Sequence, residues 1–322
     1  MDIIKRFAYH KGETKDFLKS ISYGGEFYNL FKNNFLFRGH SMSSYELKPS
    51  ALRDKKLIRT EELKTEDSTR NIGELINIFL EYKLLQDFYK SCDDIGLYLP
   101  FISEKNKEFL LNQDLINSTF PDFDFWPPED YYELAALAQH YGVPTRLLDW
   151  SRDINVAIYF ALSDYLAGHV IEDDEYMTIW AMDGGALNIR NNSFPLKIIK
   201  PRYHFNSFLH AQKGVFSVWL TQRKEILKEK NLQESYVLAL NRRVNDKSLD
   251  ELIQSFIENN RDIFSDKTYM YRIDFYDIKQ QLPVLYEYLE KTRATALYLF
   301  PGYKGVSKSI LEKELVNKLI NN

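Results

Sequence analysis

The segment that most narrows what this chain can fold into is ELAALAQHYGVPTRLLDWSRDINVAIYFA, residues 133–161. Its first third repeats apolar residues at helical spacing, with Leu134, Leu137 and Ala138 on one side, and Gly142 with Pro144 supplies the stop. Residues 146–150 then read as extended. Residues 155–166 return to the helical period, with Val156, Ile158, Tyr159, Phe160, Leu162 and Leu166 forming an apolar face. Gln139, His140, Thr145, Arg146, Asp149 and Ser151 are therefore set in a helix, turn, strand, helix unit anchored by hydrophobic residues at both ends. Polar residues crowded into such a frame mark a candidate site.

Elsewhere the pattern alternates between strand and helix signals. FLFRG at 35–39 reads as a short strand ending at Gly39; MTIWAM (177–182), LKIIKP (196–201), GVFSVWL (214–220), SYVLALN (235–241) and YMYRIDF (269–275) read as further β segments. Helices are expected over 14–23, 221–234 and 246–260, and over 71–92, where Leu75, Ile78, Phe79, Tyr82, Leu85, Phe88 and Tyr89 share a face. At the end of the chain, Leu311, Leu315 and Leu319 recur at i, i+4 spacing, with Ser309 and Glu312 as a capping box. Residues 55–69 read as a solvated loop or frayed helix start, 112–130 as a proline-containing loop, and 172–175 and 183–185 as turns. With no internal repeat and no low-complexity linker, the expectation is an α+β fold. Residues 1–24 would be an N-terminal helical extension, 25–315 one domain with a helical insertion around 55–130, and 307–322 a helix packed on it.

Charge and cysteine content limit the function classes. A net charge of −4 and a pI near 6.0 argue against a general nucleic-acid coat, which needs a basic surface to displace counterions, and leave room only for a local basic patch. The single cysteine, Cys92, excludes an intramolecular disulfide and a cysteine-rich zinc site, and the six histidines show no metal-ligand spacing. With no signal peptide and no run of about 18 apolar residues, the expected compartment is the cytoplasm and no membrane partner is expected. The 15% aromatic content suits core packing or ring stacking on a ligand alike.

The pieces FRGH (37–40), residues 133–161, NSFLHAQKGVF (206–216) and ALYLFPGYKGVSKSI (296–310) together resemble the bacterial FRG-domain family, named for an (F/Y)RG motif, over roughly residues 25–315. That family looks related to the ADP-ribosyltransferase fold and is found near anti-phage genes. The resemblance therefore implies an ADP-ribosyltransferase-like mixed β core, NAD as co-substrate, a nucleic-acid or protein acceptor, and a defence or toxin-like role. It implies that Arg38 on a first strand holds the cofactor, that LDWS runs into a helix beside the nicotinamide, and that QKGVF is the later strand. Two positions depart from the pattern. Phe208 stands where an arginine is common, and Gly214 where the catalytic glutamate is expected, with Gln212 in that motif's first position.

Cleaving the glycosidic bond of NAD builds positive charge on the ribose, so a carboxylate is wanted nearby. Asp149, expected to be buried on its strand, is the candidate; its bland alternative is an ion pair with Arg146 or Arg38. Arg38 offers a permanently charged fork for pyrophosphate or for a structural salt bridge, and Gly39 suits close backbone approach or positive φ. His140 either caps the end of its helix, where imidazolium is favoured, or shuttles a proton. Thr145 and Arg146, stiffened by Pro144, would bind phosphate oxygens or close the turn, and Ser151 borders the same pocket. Gln212 would orient a ribose or a base, while Gly214 marks a bulge or a tight strand contact. Trp150 is core or a stacking platform, and FPGYKG (300–305) a turn without P-loop spacing. Three readings remain open: an NAD-dependent ADP-ribosyltransferase using Asp149, Gln212 and Arg38, a non-catalytic sensor that binds a nucleotide or nucleic acid, or a polar network that only holds the fold together. The oligomeric state is not legible.

Overall fold

A computed structural model describes residues 2–32, 34–53, 74–112, 125–169, 175–188, 194–222 and 247–321. Its strands are β1 (Ile4–Tyr9), β2 (Phe35–His40), β3 (Phe125–Trp126), β4 (Leu148–Ser151), β5 (Met177–Asp183), β6 (Leu196–Ile199), β7 (Gly214–Trp219), β8 (Thr221–Gln222) and β9 (Met270–Phe275). A seven-stranded sheet runs in the order β1-β9-β5-β2-β4-β7-β6, and β3 with β8 forms a two-stranded ribbon. Among the described residues only β1 and β9 pair in parallel, so the sheet is mixed and the fold is α+β.

The helices are α1 (Thr14–Ile21), α2 (Glu26–Leu30), α3 (Ser50–Arg53), α4 (Glu74–Asp94), α5 (Glu104–Asn112), α6 (Tyr132–His140), α7 (Ile154–Ala161), α8 (Ser163–Leu166), α9 (Gly184–Leu187), α10 (Ser207–Ala211), α11 (Leu249–Asn259), α12 (Ile278–Lys291), α13 (Ala296–Leu299) and α14 (Tyr303–Asn321). They cover the sheet unevenly. On the face that carries Phe37, α1, α7, α12 and α14 pack over β9, β5 and β2, burying Phe17, Ile158, Tyr159, Ile179 and Ile273. Over β7 the cover changes to α4, α5 and α6, with Ile78, Tyr82, Leu110 and Leu134 against Phe216 and Val218. On the opposite face Leu36, Trp150, Trp180 and Met270 meet Ile253 and Ile257 of α11. Each fully buried side chain of this size contributes about 1.5–3 kcal/mol of transfer free energy.

Between the two helical layers the sheet itself is split. β2 pairs with β5 along its whole length, whereas its ladder with β4 holds only Phe37 opposite Ser151. Beyond that pair the strands diverge, and backbone groups that a continuous ladder would satisfy open onto a gap.

Several expectations are corrected. The N-terminal extension is helical only over Thr14–Ile21; Ile4–Tyr9 is an edge strand of the main sheet, in register with Met270–Phe275. The last helix begins at Tyr303, so Ser309 and Glu312 lie inside it, both buried, and Glu312 accepts the Tyr159 hydroxyl at 2.6 Å instead of forming a capping box with Ser309. The capping box is instead at Ser248 and Glu251, at the start of α11. Thr221–Gln222 is a strand and not the start of a helix; the rest of that segment, the strand expected at 235–241 and residues 55–69 lie outside the described residues. Gly184–Leu187 is a helical turn capped by Asp183, which accepts the Ala186 amide at 2.9 Å. The loop expected over 112–130 contains the β3 strand at Phe125–Trp126. Among the described residues no helix is long and apolar enough to cross a membrane.

Candidate functional site

The gap between β2 and β4 opens into a cleft of about 960 Å³, within the usual range of ligand pockets. Arg38 and Asp149 stand at the split. The Arg38 Nη1 donates to the Asp149 carbonyl oxygen at 2.8 Å and lies 3.5 Å from the Asp149 Oδ2, so one guanidinium bridges the strands where their ladder has stopped. The Asp149 side chain is 60% exposed, contrary to the burial expected from its apolar neighbours, because Leu148 and Trp150 point to the opposite face and the split leaves its own face open.

A chain of polar contacts fixes this pair. The Thr145 Oγ1 donates to Gln139 Oε1, which orients that amide so that its Nε2 donates to Asp149 Oδ1 at 2.6 Å. On the other side the Arg38 Nε donates to His40 Nε2 at 2.9 Å, which puts the imidazole proton on Nδ1, facing the Tyr45 carbonyl oxygen at 3.1 Å. Burial, with the Arg38 and Arg53 charges beside it, pushes the His40 pKa down to about 3. His40 is thus a neutral acceptor at physiological pH. Burial also lowers the Arg38 pKa, with the Arg53 charge acting in the same direction and Asp149 opposing it.

Helix α7 stands close to β2 because Gly39 has no side chain: a Cβ there would lie 2.0 Å from the Ala157 carbonyl oxygen. Of the two roles expected for Gly39, the structure shows close approach. Gly214, opposite Ser151, is a tight contact as well, since its Cβ would meet the Leu209 Cδ2 at 2.9 Å. The far wall is aromatic. The ring centroids of Phe208 lie 5.2 Å from His140 and 6.4 Å from Phe300, which is 6.3 Å from Phe160. Burial and the neighbouring Lys304 push the His140 pKa down, so the preference for imidazolium expected at a helix end is overridden.

The remaining expected residues divide. Ser151 and Gln212 line the cleft, but the Ser151 Oγ donates to the Gln212 carbonyl oxygen at 2.8 Å and accepts from the Asp153 amide, and the Gln212 amide donates to the Leu299 carbonyl oxygen at 3.1 Å. Thr145 is buried behind Gln139. Arg146 is not brought to the cleft: its guanidinium grips Glu81 of α4 through two contacts of 2.6 and 2.7 Å and donates to Thr221 at 3.0 Å, inside the α4–α6 core. Gln139, one of the polar residues the 133–161 unit presents, also lines the cleft, as do His40, Tyr45, Arg53, Asp164 and Lys304, which the sequence did not mark as site residues. His40, adjoining FRG, was within reach of sequence reasoning; the others come from loops and helix ends with no periodic signal.

The FRG-domain family model matches residues 33–169, the part of the chain that supplies Arg38, Gln139, His140 and Asp149. The two later pieces of the resemblance, 206–216 and 296–310, lie outside that match, yet both send residues to the same cleft. No curated protein and no solved structure matches the chain.

Proposed function

Because residues 33–169 are an FRG domain that supplies Arg38 and Asp149 to this cleft, we propose that the chain binds NAD there and transfers its ADP-ribose moiety to a nucleic-acid or protein acceptor. The observation that carries the reading is a guanidinium held 3.5 Å from a solvent-facing carboxylate at the mouth of a cleft of dinucleotide size. In the transfer, the bond between ribose and nicotinamide breaks with its electron pair leaving on the ring nitrogen. An acceptor oxygen or nitrogen then bonds to the ribose carbon and gives up a proton. The Asp149 carboxylate would supply the negative charge that stabilises the ribose cation as the bond opens. Gln139 holds its Oδ1, and Arg38 anchors phosphate oxygens. The neutral His140 beside Phe208 offers the ring wall a hydrogen-bonding edge without adding charge. Such modification of a macromolecule suits a defence or toxin-like role.

One feature favours a second reading, a sensor that binds a nucleotide without turnover: Gly214 stands where the resemblance expects the catalytic glutamate, so that position brings no carboxylate to the cleft. Incubating purified protein with NAD, alone and with DNA, RNA or protein, and following nicotinamide release decides between them. Release that falls about a hundredfold in Asp149→Asn supports transfer. No release, with a nucleotide-dependent rise in melting temperature, supports the sensor.

A further inference from the structure

Three cations, Arg38, Arg53 and Lys304, and three carboxylates, Glu46, Asp149 and Asp164, line the cleft, but the carboxylates are engaged away from Arg53. Asp149 is shared between Gln139 and Arg38, Asp164 accepts from Ser41 and Tyr45 and faces His169, and Glu46 is 3.7 Å from Lys48. Arg53, at the end of α3, also lines the cleft; its Nε is fixed to the Lys48 carbonyl oxygen, and among the described residues it has no carboxylate partner. The two terminal amino groups of Arg53 and the Nη2 of Arg38 make no hydrogen bond among the described residues. His40, which feels both arginine charges, is neutral and already accepts from Arg38, so it cannot relieve the repulsion between the two cations. Two planar forks anchored by backbone carbonyls, one sharing Asp149 and the other with no carboxylate partner among the described residues, are matched by a ligand with several anionic oxygens on adjacent centres.

We propose that Arg53 and Arg38 form the two halves of a subsite for the pyrophosphate of a dinucleotide. The assignment rests on the reading of the cleft as a dinucleotide site and adds to it the residue that selects for the diphosphate. This guanidinium sits on the short α3 helix, which is tied to the Thr145 carbonyl oxygen through the Ala51 amide, and it lines the same cleft near enough to Arg38 for the two charges to repel. Binding then neutralises a pair of like charges that repel in the empty protein.

Isothermal calorimetry on the full chain tests this with inorganic pyrophosphate, ADP-ribose and nicotinamide riboside as probes. Arg53→Gln, at an exposed position, should weaken ADP-ribose and pyrophosphate by about tenfold or more, leave nicotinamide riboside unchanged and keep the melting temperature. Arg53→Lys should recover part of the loss. The proposal fails if the wild type binds neither pyrophosphate nor ADP-ribose, if Arg53→Gln leaves both affinities unchanged or weakens nicotinamide riboside equally, or if only a single-stranded oligonucleotide responds to the substitution. The two readings separate cleanly. Arg53-dependent ADP-ribose binding without nicotinamide release keeps this subsite and removes the transferase, whereas release from NAD with an unchanged KM in Arg53→Gln does the reverse.

Discussion

Two arginines flank the same motif region and do opposite work. Arg146 and Glu81 are 4% and 6% exposed, joined by paired contacts and surrounded by Trp126, Tyr82 and Leu134. Arg38 and Asp149 are 15% and 60% exposed, meet at 3.5 Å and open onto a cleft. Where both partners are sealed and every donor is spent, an ion pair specifies packing; where one partner faces solvent and donors remain, it can receive a ligand. Residue type is the same in both, and the surroundings decide the role.

The comparison breaks most readily at its buried end. Arg146→Ala strands the Glu81 carboxylate in an apolar core and should cost about 3–5 kcal/mol, read as a large fall in melting temperature. A double replacement, Arg146→Met with Glu81→Leu, should recover most of it, and failure to do so would mean the pair does more than fill the core. At the open end, Asp149→Asn should leave the melting temperature nearly unchanged and lower nicotinamide release about a hundredfold; a large loss of stability instead would make the two pairs alike.

Between these extremes lies Gln139. Gln139→Ala frees Asp149 Oδ1 and should lower kcat about tenfold with little change in KM, while Gln139→Glu should shift the pH profile by placing a second carboxylate beside Asp149. If KM rises and kcat stays, Gln139 binds substrate directly.

The smallest effect is a pH slope. His40 in the folded chain titrates near 3, against 6.5 when unfolded. The unfolded state therefore binds the extra proton between those values, and stability present above pH 6.5 declines as the pH falls toward 3, by at most about 1.4 kcal/mol per pH unit. His40→Gln, which keeps an acceptor for Arg38, should flatten that part of the melting-temperature profile.

Local signals were enough for the unit at 133–161. Its helices and strand appear as Tyr132–His140, Leu148–Ser151 and Ile154–Ala161, because periodicity and the Gly142–Pro144 stop are contained in adjacent residues. The β1 strand was not legible: its side chains alternate only weakly in burial, and its partner Met270–Phe275 lies at the other end of the chain. Arg146 was misplaced for the same reason. Its partner Glu81 is 65 residues away, and the available hint was a glutamate flanked by Ile78, Tyr82 and Leu85 on an apolar helix face. The exposure of Asp149 depends on the split between β2 and β4, which no single strand encodes.

Crystals soaked with NAD test the central claim most directly. The account predicts density for the pyrophosphate against the Arg38 and Arg53 guanidinium groups, with the nicotinamide-side ribose beside the Asp149 carboxylate. A dinucleotide bound elsewhere on the molecule, or lying in the cleft with Asp149 turned away from its ribose, would contradict it.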